Sequence, residues 1–188
     1  MFNMVWIVVK RKEVEMENYD LEHTFVTSDH HFYLWETQFG RVFGGGSEED
    51  DERHIELWNS VVGNGDLVLY VGDFCDGEIA SLEVLHKKLN GRKILIKGNH
   101  DRLGDEWYRF VFEDVVNELR IDELNLRLIH IKEEAGERQS GERLIYGHEH
   151  RFWESAPATT HDSICVCAKW HDWRPITLAD AFRKMEEA

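Results

Sequence analysis

Leu67-Val68-Leu69-Tyr70-Val71-Gly72-Asp73 is the stretch on which the fold turns. Five apolar residues in a row read as a strand buried on both faces, because no alternation leaves one face to water. Gly72 ends the strand and Asp73 stands at its exit. An unpartnered carboxylate there would cost several kcal/mol, and a bound metal ion is the simplest partner for it.

The same arrangement recurs along the chain. His23 to Ser28 reads as a strand running into Asp29-His30-His31, and Lys93 to Lys97 as one that exits into Gly98-Asn99-His100-Asp101. Leu144 to Tyr146 precedes Gly147-His148-Glu149-His150, and His130 lies near the end of the apolar run Leu124 to Ile131. Loops at the ends of neighbouring strands converge on one place in an open α/β sheet. From an extended chain Asp29 and His31 project the same way and are placed to clasp one ion. Asn99 adds a neutral oxygen, and His130, His148 and His150 add imidazole nitrogens. Gly72, Gly98 and Gly147 let the backbone turn sharply and approach an ion closely. The donor set suits Mn, Fe or Zn.

Between these strings the periodicity predicts a helix with Ile55, Trp58 and Val62 inward, and a second carrying Ile79, Leu82, Leu85 and Leu89. Val115 to Ile121 and Leu124 to Ile131, parted by Asp122-Glu123, predict a hairpin. Ser163 to Ala168 reads as the last strand, and Phe2 to Val9 as an extra one at the start. Thr177 offers an N-cap to a final helix with Leu178, Phe182 and Met185 inward. Gly44-Gly45-Gly46 lacks the Lys-Ser/Thr ending of a phosphate cradle and reads as a mobile loop. The order predicts mixed sheets covered by helices.

At 188 residues, with 42% apolar content, the chain is long enough for one packed domain. A net charge of −15 disfavours broad contact with nucleic acid, although bound divalent ions would make a pocket locally positive. No run approaches the roughly 20 apolar residues of a membrane span. Cys75, Cys165 and Cys167 make a poor disulfide framework, read as small buried packing residues, and favour a reducing, cytoplasmic setting.

The ordered strings resemble the calcineurin-like metallophosphoesterase superfamily: Asp-x-His, Gly-Asp-x-x-Asp, Gly-Asn-His-Asp, a solitary His, then Gly-His-x-His. Leu89-Asn90-Gly91-Arg92-Lys93 and Asp172-Trp173-Arg174-Pro175 are similar to its small single-domain prokaryotic and phage members. The likeness covers residues 23 to 180 and leaves 1 to 20 as an N-terminal extension of a single 1–188 domain. It implies an α/β fold of two mixed β-sheets packed face to face and flanked by helices. It also implies two divalent ions, Mn²⁺ first with Fe, Zn or Ni as alternatives, bridged by Asp73. Asp29, His31 and His150 would complete one shell, and Asn99, His130 and His148 the other.

The implied activity is hydrolysis of small phosphomonoesters or phosphodiesters through a metal-bridging hydroxide. His100 would be the general acid and Asp76 its orienting partner, with Asp101 supporting the loop. A metal-dependent nuclease and a non-catalytic scaffold are the alternatives. The expected partner is a small phosphorylated substrate, with nucleic acid disfavoured by the net charge and no membrane, and the oligomeric state is left open. His30 is placed to touch phosphate or to face water. His23, His54, His86, His161 and His171 read as surface or packing residues. Cys165 and Lys169 fall where relatives carry Asn and Asp, and the acidic loop of Glu133, Glu134 and Glu137 is placed near the rim.

Overall fold

The computed structural model describes residues 20–33, 47–75, 79–150 and 155–188. The strand read at Phe2 to Val9, the triple-glycine loop and Asp76 lie outside them.

Nine strands occur among the described residues: β1 (Thr24–Thr27), β2 (Leu67–Tyr70), β3 (Arg92–Ile96), β4 (Asp114–Val116), β5 (Glu118–Ile121), β6 (Leu126–Ile129), β7 (Arg143–Tyr146), β8 (Ser163–Cys165) and β9 (Ile176–Thr177). They form two mixed sheets. The first has the order β4-β3-β2-β1-β9, parallel throughout except for β9. The second has the order β5-β6-β7-β8, with only the β5–β6 pair antiparallel. The expected hairpin exists as β5–β6. The run Val115 to Ile121, expected as one strand, breaks at Asn117 and feeds two different sheets. The polar pair Asn117-Glu118 marks the break, and on either side only Val115 and Ile121 are buried.

Alternation along the strands sorts the core into layers. Val26, Leu69, Val71, Ile96, Leu128 and Ile145 meet between the sheets. Phe25, Val68, Tyr70 and Leu95 face the outer layer of α1 (Glu48–Asn59) and α2 (Ile79–Lys88), which supply Ile55, Trp58, Leu82 and Leu85. Leu144, Tyr146, Cys165 and Cys167 face outward from the second sheet. Ile79, expected inward, is 40% exposed, since it opens α2 before the helix meets the sheet. Ser47 caps α1 through the amide of Asp50.

A single helical turn, α3 (Asp105–Tyr108), precedes β4. The last helix, α4 (Leu178–Glu186), starts at Thr177, whose hydroxyl accepts from the Asp180 amide at 3.0 Å. Leu178, Phe182 and Met185 are buried as expected. None of the described helices is long and apolar enough to cross a membrane.

Candidate metal centre

Parallel pairing in register brings the exits of β1 and β2 side by side, with Thr27 opposite Tyr70. The ladder continues past both strands: the Asp29 amide donates to Gly72 O at 3.0 Å, and the His31 amide to Asp73 O at 3.2 Å. The backbone here is not extended, as the sequence reading assumed. Asp29, His31 and Asp73 have φ of 60°, 47° and 57°, and His148 has 69°. Side-chain-bearing residues avoid this left-handed region, and such strain clusters at functional sites.

Two groups of donor atoms result. Asp29, His31 and His150 form one, and Asp73, His130 and His148 the other, with the donor atoms of each group within 4.8 Å of one another. His150 Nε2 lies 3.1 Å from Asp29 Oδ1 and 3.3 Å from His31 Nε2. His130 Nε2 lies 3.2 Å from Asp73 Oδ2. That same oxygen is 3.6 Å from His31 Nε2, so Asp73 stands between the groups. All are buried except His148. Despite these approaches, Asp29 Oδ1 and His130 Nε2 are buried and make no well-aligned hydrogen bond. A cation would satisfy both, so the residues present fit one.

The remaining atoms of these side chains are held from behind. His130 Nδ1–H donates to Val71 O at 2.8 Å, which aims Nε2 at Asp73. Asp73 Oδ1 accepts from the His100 amide at 2.8 Å. Asp29 Oδ2 accepts from the His148 amide and from Cys167 Sγ, each at 3.0 Å. Asp101 accepts from the amides of Asp73, Phe74 and Gly98, so it ties the two loops together. Burial lifts its carboxyl to about 6 against those three bonds.

Burial would also raise Asp29, but the imidazoles of His130, His150 and His31 hold its carboxylate well below the usual range. Burial pulls His130 down, yet Asp29 and Asp73 outweigh it and lift the imidazole to about 9. A cation would take the place of that proton.

The glycines act differently from expectation. A Cβ on Gly98 would fall on the Asp73 carboxylate, and one on Gly147 would come within 2.7 Å of Asp29 Oδ2. These glycines make room for the ligand-type side chains themselves, a packing demand on top of any approach to an ion.

Asn99 and His100 occupy the turn after β3, with Asn99 exposed. The His100 ring stands edge-on to His31, centroids 5.0 Å apart. His30 neither faces water nor reaches toward phosphate. It is fully buried, bonded to the Tyr70 hydroxyl at 2.9 Å and stacked on Phe32 at 5.0 Å. Between two residues aimed at the site, it points into the core, and burial pushes it down to about 3.

His54 is buried against Trp173, centroids 3.9 Å apart, and His171 bonds Cys165 O at 2.9 Å. His23 pairs with Asp66 at 2.8 Å, and His86 and His161 are exposed. Glu133, Glu134 and Glu137 are exposed after β6.

Cys167 does more than fill space, since its thiol reaches Asp29. The following turn also holds the histidine loop: Lys169 Nζ donates to His150 O at 3.4 Å and Trp170 Nε1–H to Glu149 O at 2.8 Å. These contacts span 19 to 138 residues, and no local pattern in the sequence signals them.

The family model for calcineurin-like phosphoesterases matches residues 23–182, nearly the whole described fold. The chain belongs to this family. As a calcineurin-like phosphoesterase it is a hydrolase of phosphoesters that depends on metal. An uncharacterised protein of Methanocaldococcus jannaschii is 29% identical over 139 residues, covering 70% of this chain and 72% of that protein. The gene 66 protein of Mycobacterium phage D29 is 38% identical over 86 residues, 44% of this chain and 42% of its own. The crystal structure of a protein of unknown function from Aquifex aeolicus shares the fold, with a TM-score of 0.62 at 22% identity. That match covers 85% of this chain and 97% of the other.

Proposed function

We propose that this phosphoesterase hydrolyses small phosphomonoesters or phosphodiesters at a centre of two divalent ions, Mn²⁺ foremost. Asp29, His31 and His150 hold one ion, and Asn99, His130 and His148 the other, with Asp73 shared. The observation that carries this reading is the position of Asp73 Oδ2, 3.6 Å from His31 Nε2 and 3.2 Å from His130 Nε2. When bound, such ions polarise phosphoryl oxygens and acidify water toward neutral pH.

The protein's own residues do the rest. His100, half-buried beside His31, gives a proton from its imidazolium to the leaving oxygen. The family pattern assigns Asp76 the part of orienting that ring. Asp101 keeps the Asp73 and Gly98 loops in register. The net charge of −15 and the exposed Glu133, Glu134 and Glu137 repel long polyanions and favour a compact phosphoester. The buried free thiols agree with a reducing, cytoplasmic setting.

The test is an assay of chelator-treated protein reloaded with Mn²⁺, against p-nitrophenyl phosphate, bis-p-nitrophenyl phosphate and a random oligonucleotide. Metal-dependent turnover of either small ester is expected, with little or no cutting of the oligonucleotide. Two bound ions without turnover of any ester would refute catalysis. Rapid cutting of the oligonucleotide would move the assignment to a nuclease.

A further inference from the structure

We propose that Cys167 is a positioning residue for the metal centre: its thiol holds Asp29 Oδ2 so that Oδ1 faces His31 and His150. The inference rests on the two-ion reading above. A carboxylate on a single side-chain axis swings unless its second oxygen is held. Here that oxygen has two donors, the His148 amide and the Cys167 thiol, both at 3.0 Å. The first comes from the histidine loop itself. The thiol is the donor that comes from elsewhere in the fold.

Its placement is fixed by backbone. Cys167 lies in a parallel bridge with Ser28, the residue before Asp29, with Ser28 N–H donating to Val166 O at 3.1 Å and Ala168 N–H to Ser28 O at 2.9 Å. The side chain is fully buried, and Cys165 Sγ lies 3.3 Å from Cys167 Sγ. A thiol is both a weak donor and a weak acceptor. If the Cys165 hydrogen is spent on the Cys167 sulfur, the Cys167 hydrogen is directed at Asp29. The pair forms a short relay ending on the carboxylate. A neutral donor suits this position, because it orients Asp29 without cancelling the charge a cation needs. Outer partners of this kind are worth about 10- to 100-fold in metal affinity.

The experiment titrates Mn²⁺ into chelator-treated wild type, Cys167→Ala, Cys167→Ser and Cys165→Ala. It also follows metal-free Tm and the absorption spectrum of the Co²⁺ forms. Cys167→Ala is expected to weaken one of the two Mn²⁺ sites by about 10- to 100-fold. Cys167→Ser, which keeps a donor, stays within about threefold of wild type, and Cys165→Ala falls between them. The Co²⁺ spectrum of wild type is expected to lack a sulfur-to-metal charge-transfer band.

Wild-type affinity in Cys167→Ala would overturn the inference. So would equal losses in the Ala and Ser variants accompanied by equal drops in metal-free Tm, which would mark a packing role. A charge-transfer band lost on Cys167→Ala would make the thiol a ligand and overturn it too. Wild type that takes up fewer than two ions would instead sink the two-ion reading, and this inference with it.

Discussion

The two sheets make chemically different halves of the centre. Strand exits of the first sheet contribute the carboxylates Asp29 and Asp73, along with His31. Exits of the second contribute only imidazoles, His130, His148 and His150, and behind them the thiol of Cys167. Neither half carries a complete group: Asp29 with His31 lacks His150, and Asp73 lacks His130 and His148. Carboxylates meet imidazoles across the seam, so the packing between Val71, Ile96, Leu128 and Ile145 sets the donor spacing. Charge is divided the same way. Acids of one sheet lift His130 of the other, and histidines of the second hold Asp29 down.

The sharpest way to break this comparison is Asp73→Asn. Asp73 lies at the junction of both groups, so its loss should empty both of Mn²⁺ and cut kcat/KM by about 10³-fold or more, since each ion supplies several kcal/mol. Elemental analysis after gel filtration reads the metal, and wild-type content would refute its shared position. His100→Ala is expected to cost less, about 10²- to 10⁴-fold in kcat on a poor leaving group, with metal content unchanged.

Next in size is a pair of cavity variants, Ile145→Ala between the sheets and Leu85→Ala on the inner face of α2. Both side chains are fully buried, so each should cost about 2–5 kcal/mol in urea unfolding. Only the first should also lower Mn²⁺ affinity. Equal affinities in both would mean that the seam does not set donor spacing.

The smallest effect is a slope with pH. Burial pushes His54 down to about 4 in the folded chain, below its ordinary 6.5. Unfolding therefore takes up a proton between those values, so stability present above pH 6.5 is lost as pH falls toward 4. His54→Phe keeps a ring against Trp173 and should flatten the slope in metal-free protein by about one proton. An unchanged slope would show that His54 is not held neutral.

The sequence made the strand exits legible because each buried apolar run stops at a polar string, and a parallel arrangement leaves those exits at one end. Asp101 was readable as support, one residue beyond His100 and flanking the turn. His30 was expected to touch phosphate or face water and is buried instead, although the reading that sent Asp29 and His31 one way implied the opposite direction for the residue between them. The break at Asn117 coincides with the polar pair Asn117-Glu118, but a single polar interruption does not say that the strands on its two sides join different sheets. Cys167 escaped because its contact with Asp29 joins positions 138 residues apart. Only the bridge between Ser28 and Cys167 brings it there.

Asp29, His31, Asp73 and His148 hold their backbones left-handed although each carries a side chain. Each such residue costs about 1–3 kcal/mol against the relaxed chain, while a whole domain is stable by only about 5–15. A lineage of this chain growing at rising temperature would gain stability from Gly or Asn at these four positions, and should lose metal affinity with the first such change. Heat tolerance has to be found elsewhere in the molecule, in caps, loops and the outer layers. These four positions should stay fixed while their surroundings drift.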